Sequence, residues 1–284
     1  SELNTELNTH VAVLGDLQGA KLRIGQVSKH NLLEKNQLIT VQYGDGISDK
    51  NTIFINYKSI ADDVCVGEKI LLDDGKILLR VQSIKDHKIS CVIVQGGVIS
   101  PNKGFNLPNT KISLPTMTEK DHIDLFFCIK NDIEWIALSF VRTGDDIKSL
   151  KKIINEHNGR SKVIAKIEKP EAIKNLKAII SNADALMVAR GDLGVEVPTQ
   201  KVPVLQKRIV RASRKKAKPV IIATQMMESM INSLSPTRAE TNDAANAVFD
   251  GADALMLSGE TSVGKYPTRV IRTISKIILD VEAS

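Results

Sequence analysis

The chain has 284 residues, of which 42% are hydrophobic and 25% are charged, and its formal net charge is +6. This length and composition are typical of a soluble globular protein with one large α/β domain, or with one domain and a smaller one. Because no apolar run approaches the ~18 residues of a membrane helix, no membrane protein is expected. Dispersed lysines and few aromatic residues also argue against nucleic-acid binding.

The cysteines and the start of the chain bear on localisation. Cys65, Cys91 and Cys128 are scattered and show neither metal-ligand spacing nor a disulfide pattern. They predict buried thiols in a reducing compartment. The sequence shows no charged and apolar leader, so secretion is not expected. A cytoplasmic location is therefore expected.

The first predicted strand, Val11 to Asp16, ends in a charged segment that reaches Arg23. From about Ile24 to Pro108 the pattern changes to short strands separated by Gly, Asp and Asn turns. Asp74-Gly75 between two of these strands is a strong hairpin signal. Because no helical period is visible, this stretch predicts a small all-β domain inserted into the main domain. The predicted strands are 52–55, 69–72, 76–81 and 89–94.

From Thr118 a βα rhythm resumes, and Thr118 with Asp121 is typical of a helix start. The strands of this βα stretch, together with the first strand, make six nearly continuous apolar strands. Such strands predict a sheet covered on both faces. Six strands fit an open doubly wound sheet, whereas a (β/α) barrel needs eight. The later strands begin at Trp135, Val163, Ala185, Val220 and Ala254, and the helices span 119–130, 145–157, 171–180, 198–216, 238–250 and 267–281.

Charged side chains follow two of these strands where the strands end. Lys166 and Glu168 are two residues apart and therefore share a face of their strand, and Asp192 follows the next strand. Since the carboxyl ends of parallel strands meet at one edge, these groups suit a hard cation and a phosphorylated substrate. A solvated loop with chance charges is the alternative. A lysine inside an apolar strand argues against it, because an unpaired buried ammonium is costly.

The segments KIEKPEAI, at 166–173, and MVARGDLGVE, at 187–196, resemble the pyruvate kinase family. GDLQGAKLRIG, LDDGKILLRV and NKGFNLP are similar to the family as well. The resemblance implies a (β/α)8 barrel of the TIM type with a small all-β lid inserted after the third barrel strand. Residues 1–23 and 109–284 would then form an incomplete barrel of about six βα strands, and residues 24–108 the lid. The first two barrel strands and the C-terminal domain of the family would be missing.

The implied activity is the glycolytic transfer of a phosphoryl group from phosphoenolpyruvate to ADP, which gives pyruvate and ATP. Glu168 and Asp192 would hold Mg²⁺, and Lys166 would neutralise the phosphoryl group and the developing enolate. Thr224 would bind substrate and lie in the proton path. The backbone of residues 189–191 would face the substrate carboxylate. The expected substrate-binding residues are Lys166, Ala189, Arg190, Gly191, Asp192 and Thr224.

Further roles are implied for residues outside this centre. Arg23 and Lys103 would contact ATP phosphates, and Ser258 and Glu260 would support the pocket. Asp16 would normally help to hold K⁺. Lys21 stands where K⁺-dependent members carry glutamate, so no K⁺ requirement is expected. The histidines fit no catalytic constellation and are expected to be surface or structural residues: His10, His30, His87, His122 and His157.

Two other functions stay open. One is a Mg²⁺-dependent aldolase or lyase that handles pyruvate enolates, against which the lid and the Lys103 loop argue. The other is a non-catalytic truncated paralogue, which the missing strands favour and the intact site residues oppose. A homo-oligomer is expected, because the full-length family forms tetramers. The 284-residue chain alone is expected to be inactive, since the missing second barrel strand supplies a phosphate-binding arginine in the family.

Overall fold

The computed structural model describes residues 2–29 and 31–284 of the chain. These residues divide into two units, which are described separately. The α/β unit comprises the residues up to Gly19, Thr116–Leu193 and Gln200–Ser284, and the β unit comprises Ala20–Pro115 and Gly194–Thr199. Two separate segments of the chain therefore build the β unit.

The elements of both units are numbered in chain order. The strands are β1 (Leu14–Leu17), β2 (Leu32–Leu33), β3 (Leu38–Tyr43), β4 (Thr52–Ile55), β5 (Lys69–Leu72), β6 (Ile77–Lys85), β7 (Lys88–Gln95), β8 (Gly97–Val98), β9 (Phe105–Asn106), β10 (Trp135–Leu138), β11 (Lys162–Ile167), β12 (Ala185–Ala189), β13 (Val220–Ala223) and β14 (Ala254–Met256). The α-helices are α1 (Glu2–Glu6), α2 (Ile60–Asp63), α3 (Glu119–Lys130), α4 (Gly144–Glu156), α5 (Pro170–Lys174), α6 (Leu176–Asn182), α7 (Arg190–Glu196), α8 (Val202–Arg214), α9 (Arg238–Asp250), α10 (Gly259–Ser262) and α11 (Pro267–Glu282). Short 3₁₀ turns span Thr199–Lys201 and Glu228–Ile231.

The α/β unit contains a parallel sheet in the order β1-β10-β11-β12-β13-β14. Each strand lies beside the strand that precedes it in this sheet, and helices connect them. This sequential order is that of a (β/α) barrel, whereas a doubly wound sheet reverses its order at a switch point. The predicted six strands are therefore confirmed, they form part of a barrel, and the doubly wound alternative is wrong.

Burial explains why these strands read as apolar runs. Every residue of β12 is buried, so both faces of this central strand are covered. One buried cluster of the sheet contains Ala137, Ile164, Ala185, Met187 and Ala223. The carboxyl ends of the strands therefore project from a packed support, which is where a barrel positions its ligand-binding groups.

Several predicted elements of the α/β unit need correction. The first strand is Leu14–Leu17 instead of Val11 to Asp16, because the Val13 N–H donates to the Glu134 side chain. The helix predicted at 171–180 is two helices that meet at Asn175. The helix predicted from 198 begins at Val202 after a 3₁₀ turn. The last two strands were predicted to end at Gln225 and Glu260 but are shorter, since β13 ends at Ala223 and β14 ends at Met256.

The β unit is built on a six-stranded sheet in the order β4-β3-β7-β6-β5-β9. β3 and β4 are parallel and the other pairs are antiparallel. The predicted hairpin is confirmed, since Leu72 pairs with Ile77 across a turn in which Asp74 and Gly75 have positive φ angles of 56° and 86°. The prediction of a region without helix is wrong at Ile60–Asp63, which forms a single turn. β3, whose buried side chains alternate, was not predicted.

Capping boxes fix the starts of three helices in the α/β unit. The predicted helix start at Thr118 is confirmed, and it is a capping box: the Thr118 side chain accepts from the Asp121 N–H, and Asp121 accepts in return. The same reciprocal bonding joins Thr143 to Asp146 and Thr237 to Glu240. None of the helices in the described part of the chain is long and apolar enough to span a membrane.

Candidate functional site

Lys166 lies near the carboxyl end of β11, and its side chain is 13% exposed. Its ammonium donates to Ser139 Oγ at 2.7 Å and to Asp16 Oδ1 at 3.0 Å, and it lies 3.4 Å from Glu168 Oε1. The carboxyl ends of three neighbouring strands, β1, β10 and β11, thus bring these groups together. The three hydrogens of an ammonium match these three side chains.

Carboxylates keep this ammonium charged. Burial by itself lowers the pKa of Lys166, but the nearby carboxylates of Glu168 and Asp16 outweigh it, so that the pKa of Lys166 is raised. The direction means that a positive charge is held at this rim of the sheet at neutral pH.

Glu168 is the most deeply buried member of the cluster, with 1% of its side chain exposed. Its Oε2 accepts a hydrogen bond of 2.8 Å from the Phe140 N–H, and Phe140 adopts a left-handed backbone with a φ of 53°. Burial raises the pKa of Glu168; Lys166 opposes this effect, and the carboxylate of Asp192 reinforces it. A buried carboxylate beside a second one is a local excess of negative charge, which a divalent cation would relieve.

In the described part of the chain, no group of three or more His, Cys, Asp or Glu side chains is placed to hold a metal ion. Glu168 and Asp192 are two hard oxygen donors, and the half-buried Asp192 lies in the first turn of α7. Mg²⁺ is commonly bound by one or two carboxylates together with water and substrate phosphate. The donor chemistry of the two residues therefore fits Mg²⁺ without a complete cage of protein ligands.

Thr224 lies directly after β13 and has a left-handed backbone, with a φ of 70°. Its Oγ1 accepts a hydrogen bond of 2.8 Å from the Gly191 N–H, at the start of α7. A Cβ at Gly191 would lie 3.3 Å from this Oγ1, so glycine permits the approach. The predicted residues Ala189, Arg190, Gly191 and Thr224 are thus neighbours across β12 and β13. Arg190 was predicted to face the substrate with its backbone. Its side chain turns the guanidinium toward the Thr224 and Gln225 carbonyls.

Ser258 and Glu260 were predicted to end the last strand, but they follow β14 and lie in or beside α10. Glu260 is buried, and its two oxygens accept from the Met227 N–H at 3.1 Å and the Ser258 N–H at 2.8 Å. Glu260 thereby ties the segment after β13 to the segment after β14. Ser258 itself is exposed.

Arg23 and Lys103 lie in the β unit. The Arg23 guanidinium donates to the Asn102 carbonyl at 2.8 Å, and the Arg23 backbone bridges to Gly104. The Lys103 ammonium lies 3.0 Å from Asp73 Oδ1, and its side chain is 45% exposed. The two predicted nucleotide-contacting cations therefore belong to one loop pairing. Lys21, the predicted substitute for K⁺, also lies in the β unit, whereas Asp16 lies in the α/β unit.

Among the cysteines, Cys91 and Cys128 are buried as predicted, but Cys65 is exposed. Cys65 follows α2 in a tight turn, where its N–H donates to Glu68 Oε2 and its carbonyl accepts from the Glu68 N–H. Such a turn leaves the thiol at the surface. Of the predicted non-catalytic histidines, His10, His87 and His157 are exposed and His122 is half-buried, and His30 lies outside the described residues.

Three residues around this centre were not considered from the sequence: Ser139, Phe140 and Asp243. Ser139 and Phe140 directly follow β10, so the rule that located Lys166 could have located them too. Asp243 lies within α9, 53 residues from its partner Arg190, and no local signal indicates this pair.

A sequential parallel sheet with a charged cluster at the carboxyl ends of its strands defines a (β/α)-barrel-type protein whose candidate site lies where barrels bind ligands. The family model described as pyruvate kinase, barrel domain, matches residues 1–271 of the chain. The chain therefore belongs to the pyruvate kinase family.

Curated relatives agree with this assignment. The chain is 48% identical to a pyruvate kinase of Mycobacterium tuberculosis over 96% of the chain and 58% of the relative. It is 48% identical to that of Corynebacterium glutamicum over 94% of the chain and 57% of the relative. With that of Clostridium acetobutylicum the identity is 42% over 99% of the chain and 60% of the relative. The chain thus spans somewhat more than half the length of the relatives that it matches.

Proposed function

We propose that this chain supplies the lid and part of the barrel of a glycolytic pyruvate kinase, which transfers a phosphoryl group from phosphoenolpyruvate to ADP and yields pyruvate and ATP. The observation that carries this proposal is the cluster in which the largely buried Lys166 contacts Ser139, Glu168 and the exposed Asp16, in a chain of this family. An ammonium held at the rim of the sheet suits a reaction in which negative charge must be neutralised.

In the proposed reaction, a β-phosphate oxygen of ADP attacks the phosphorus of phosphoenolpyruvate. The bond between that phosphorus and the enol oxygen breaks, and its electron pair stays on the enolate of pyruvate. Lys166 donates hydrogen bonds to the phosphoryl group and to the enolate oxygen, whose charges its ammonium offsets. The enolate carbon then takes up a proton, and the Thr224 hydroxyl lies in the path of that proton.

The substrate carboxylate is proposed to face the backbone of Ala189, Arg190 and Gly191. α7 begins there, and the N–H groups in the first turn of a helix favour an anion. Glu168 and Asp192 would hold Mg²⁺, which would neutralise charge on the phosphoryl group. In the β unit, Arg23 and Lys103 would contact the phosphates of ADP and ATP, and the fork of Arg23 suits bidentate contact. Ser258 and Glu260 would act as supporting residues.

Four further properties are part of this proposal. Lys21 would provide a fixed positive charge that makes K⁺ unnecessary, so that Asp16 would hold no monovalent cation and would pair with Lys166. The full-length enzyme would work as a homo-oligomer in the cytoplasm. Binding of nucleic acid or membranes is not expected. The 284-residue chain alone would have little or no turnover.

The test is turnover of phosphoenolpyruvate and ADP with Mg²⁺, measured for this chain and for the longest natural protein that contains it. Turnover by the longer protein, its loss in Lys166→Met, and equal rates with K⁺ or tetramethylammonium are the expected results. Strong activation by K⁺ would refute the role of Lys21. If the longer protein turns over no phosphoenolpyruvate but cleaves pyruvate aldols, the aldolase function replaces the proposed kinase function. If it catalyses neither reaction, the non-catalytic function replaces it.

A further inference from the structure

Thr224 and Gln225 form a strained turn that the proposed reaction does not by itself explain. Their φ angles are 70° and 54°, both in the left-handed region. This region is disfavoured for a β-branched residue such as threonine, and it persists only where the surroundings impose it. The contacts that impose it here come from Arg190 and from the residue after it.

The Arg190 guanidinium holds the carbonyl side of this turn. Its Nη2 donates to the Thr224 carbonyl at 2.7 Å and lies 3.3 Å from the Gln225 carbonyl. Its Nη1 donates to Asp243 Oδ2 at 2.6 Å. The Arg190 side chain is 11% exposed, so its planar fork is fixed between the turn and the carboxylate of α9.

The neighbouring backbone holds the hydroxyl side of the same residue. The Gly191 N–H donates to Thr224 Oγ1 at 2.8 Å. Arg190 and Gly191, the first two residues of α7, therefore hydrogen-bond to Thr224 at its carbonyl and at its hydroxyl. Since Oγ1 accepts from Gly191, the single hydroxyl hydrogen stays available for a donor bond elsewhere.

We propose that the Arg190 side chain, held in place by Asp243, is a positioning group that aims the Thr224 hydroxyl for proton transfer to the enolate. This proposal rests on the proposed function and adds to it Asp243 and the guanidinium of Arg190. Because the Asp243 carboxylate neutralises the guanidinium, the pair orients Thr224 without adding net charge next to the substrate. Asp243 touches no reacting atom and acts through Arg190 and Thr224.

Exchange of the pyruvate methyl hydrogens with D₂O isolates the proton step, because it reverses enolate protonation without phosphoryl transfer to ADP. We expect Asp243→Asn to slow this exchange roughly tenfold in the longest natural protein that contains the chain, and Arg190→Lys to slow it further, since correctly placed acid–base groups contribute about 10²–10⁴-fold. The KM for phosphoenolpyruvate should change less than about threefold, because a positioning defect affects the reaction more than binding.

A double mutant separates positioning from general damage. Asp243→Asn should cause no further loss of exchange in a Thr224→Ala background, because effects that act through one group are not additive. Asp184→Asn is the matched control, since Asp184 pairs with Lys151 at 2.7 Å elsewhere in the same unit. An unchanged exchange rate in Asp243→Asn, or an undiminished loss in the Thr224→Ala background, would overturn the proposal.

A second measurement does not need catalysis. Hydrogen–deuterium exchange at the Gly191 amide reports its bond to Thr224 Oγ1, and it should speed up in Asp243→Asn but not in Asp184→Asn. If the wild-type protein has no turnover and no methyl exchange, the proposed function fails, and the proton-positioning role falls with it. In that case the exchange rate of the Gly191 amide alone tests whether Arg190 and Asp243 position Thr224.

Discussion

In the α/β unit, Lys166 is 13% exposed and is held by three side chains, whereas in the β unit Lys103 is 45% exposed and is paired with Asp73. The first arrangement fixes a charge before any ligand arrives, which favours the stabilisation of a transition state. The second leaves a flexible cation at the surface, which can exchange a carboxylate for a phosphate at little cost. The two lysines therefore differ in burial and in how closely their surroundings fix them.

The largest expected difference between the two units concerns stability when each of the two lysines is replaced in turn. Lys166→Met should lower the free energy of unfolding by ~3 kcal/mol at neutral pH, because it leaves the buried Glu168 carboxylate beside Asp192 without its cation. Lys103→Met should lower it by less than ~1 kcal/mol, as is usual for an exposed pair. Urea denaturation of the two variants measures both values. Equal losses would show that the two cations are held equally firmly.

Helix starts offer a second comparison with a smaller effect. Thr237→Ala should destabilise the α/β unit by ~1 kcal/mol, because it removes the side-chain acceptor of the capping box at α9. Ser59, at the start of α2 in the β unit, makes no side-chain capping bond. Ser59→Ala should therefore change the free energy of unfolding by only a few tenths of a kcal/mol. A loss at Ser59 as large as that at Thr237 would contradict this explanation.

The sequence predicts the frame of both units because that frame depends on local patterns. Six apolar strands, the hairpin at Asp74-Gly75 and the capping box at Thr118 each follow from residues within a few positions of one another. The shared face of Lys166 and Glu168 follows from the two-residue period of a strand in the same way. Whether six strands belonged to a barrel or to a doubly wound sheet depended on strand order, which local pattern does not contain.

The parts of the candidate site that the sequence does not reveal depend on distant partners. Ser139 is 27 residues from Lys166, and Phe140 reaches Glu168 through a backbone N–H in an unusual conformation that no side-chain pattern signals. Asp243 and Arg190 are further apart still, 53 residues, and meet only when α9 lies close to the start of α7. Such contacts hold the side chains of the candidate site in place, whereas a sequence motif identifies only those side chains and not their partners.

The smallest expected effect concerns the carboxylate that holds Lys103. Hydrogen bonds from Lys76 and Lys103 lower the pKa of Asp73 below its ordinary value of 3.8. A carboxyl whose pKa is lower in the folded state stabilises the fold above its unfolded pKa, and this stability is lost as the pH falls through the folded pKa. Asp73→Asn should therefore lower the free energy of unfolding slightly at pH 7, and the difference from wild type should shrink as the pH falls through the folded pKa of Asp73.

The neighbouring Asp74 provides the control for this effect, since it lies in the same hairpin turn with a similar backbone. Asp74→Asn should change the unfolding free energy less than Asp73→Asn, because Asp73 accepts from Lys76 at 2.9 Å and lies 3.0 Å from the Lys103 ammonium. Denaturation at pH 7 and at pH 2.5 gives the comparison. A difference between wild type and Asp73→Asn that is as large at pH 2.5 as at pH 7 would mean that the shape of the turn, and not the charge of Asp73, stabilises this hairpin. In that case Lys103 would be held less firmly than its distance to Asp73 suggests, and the contrast with Lys166 would be larger still.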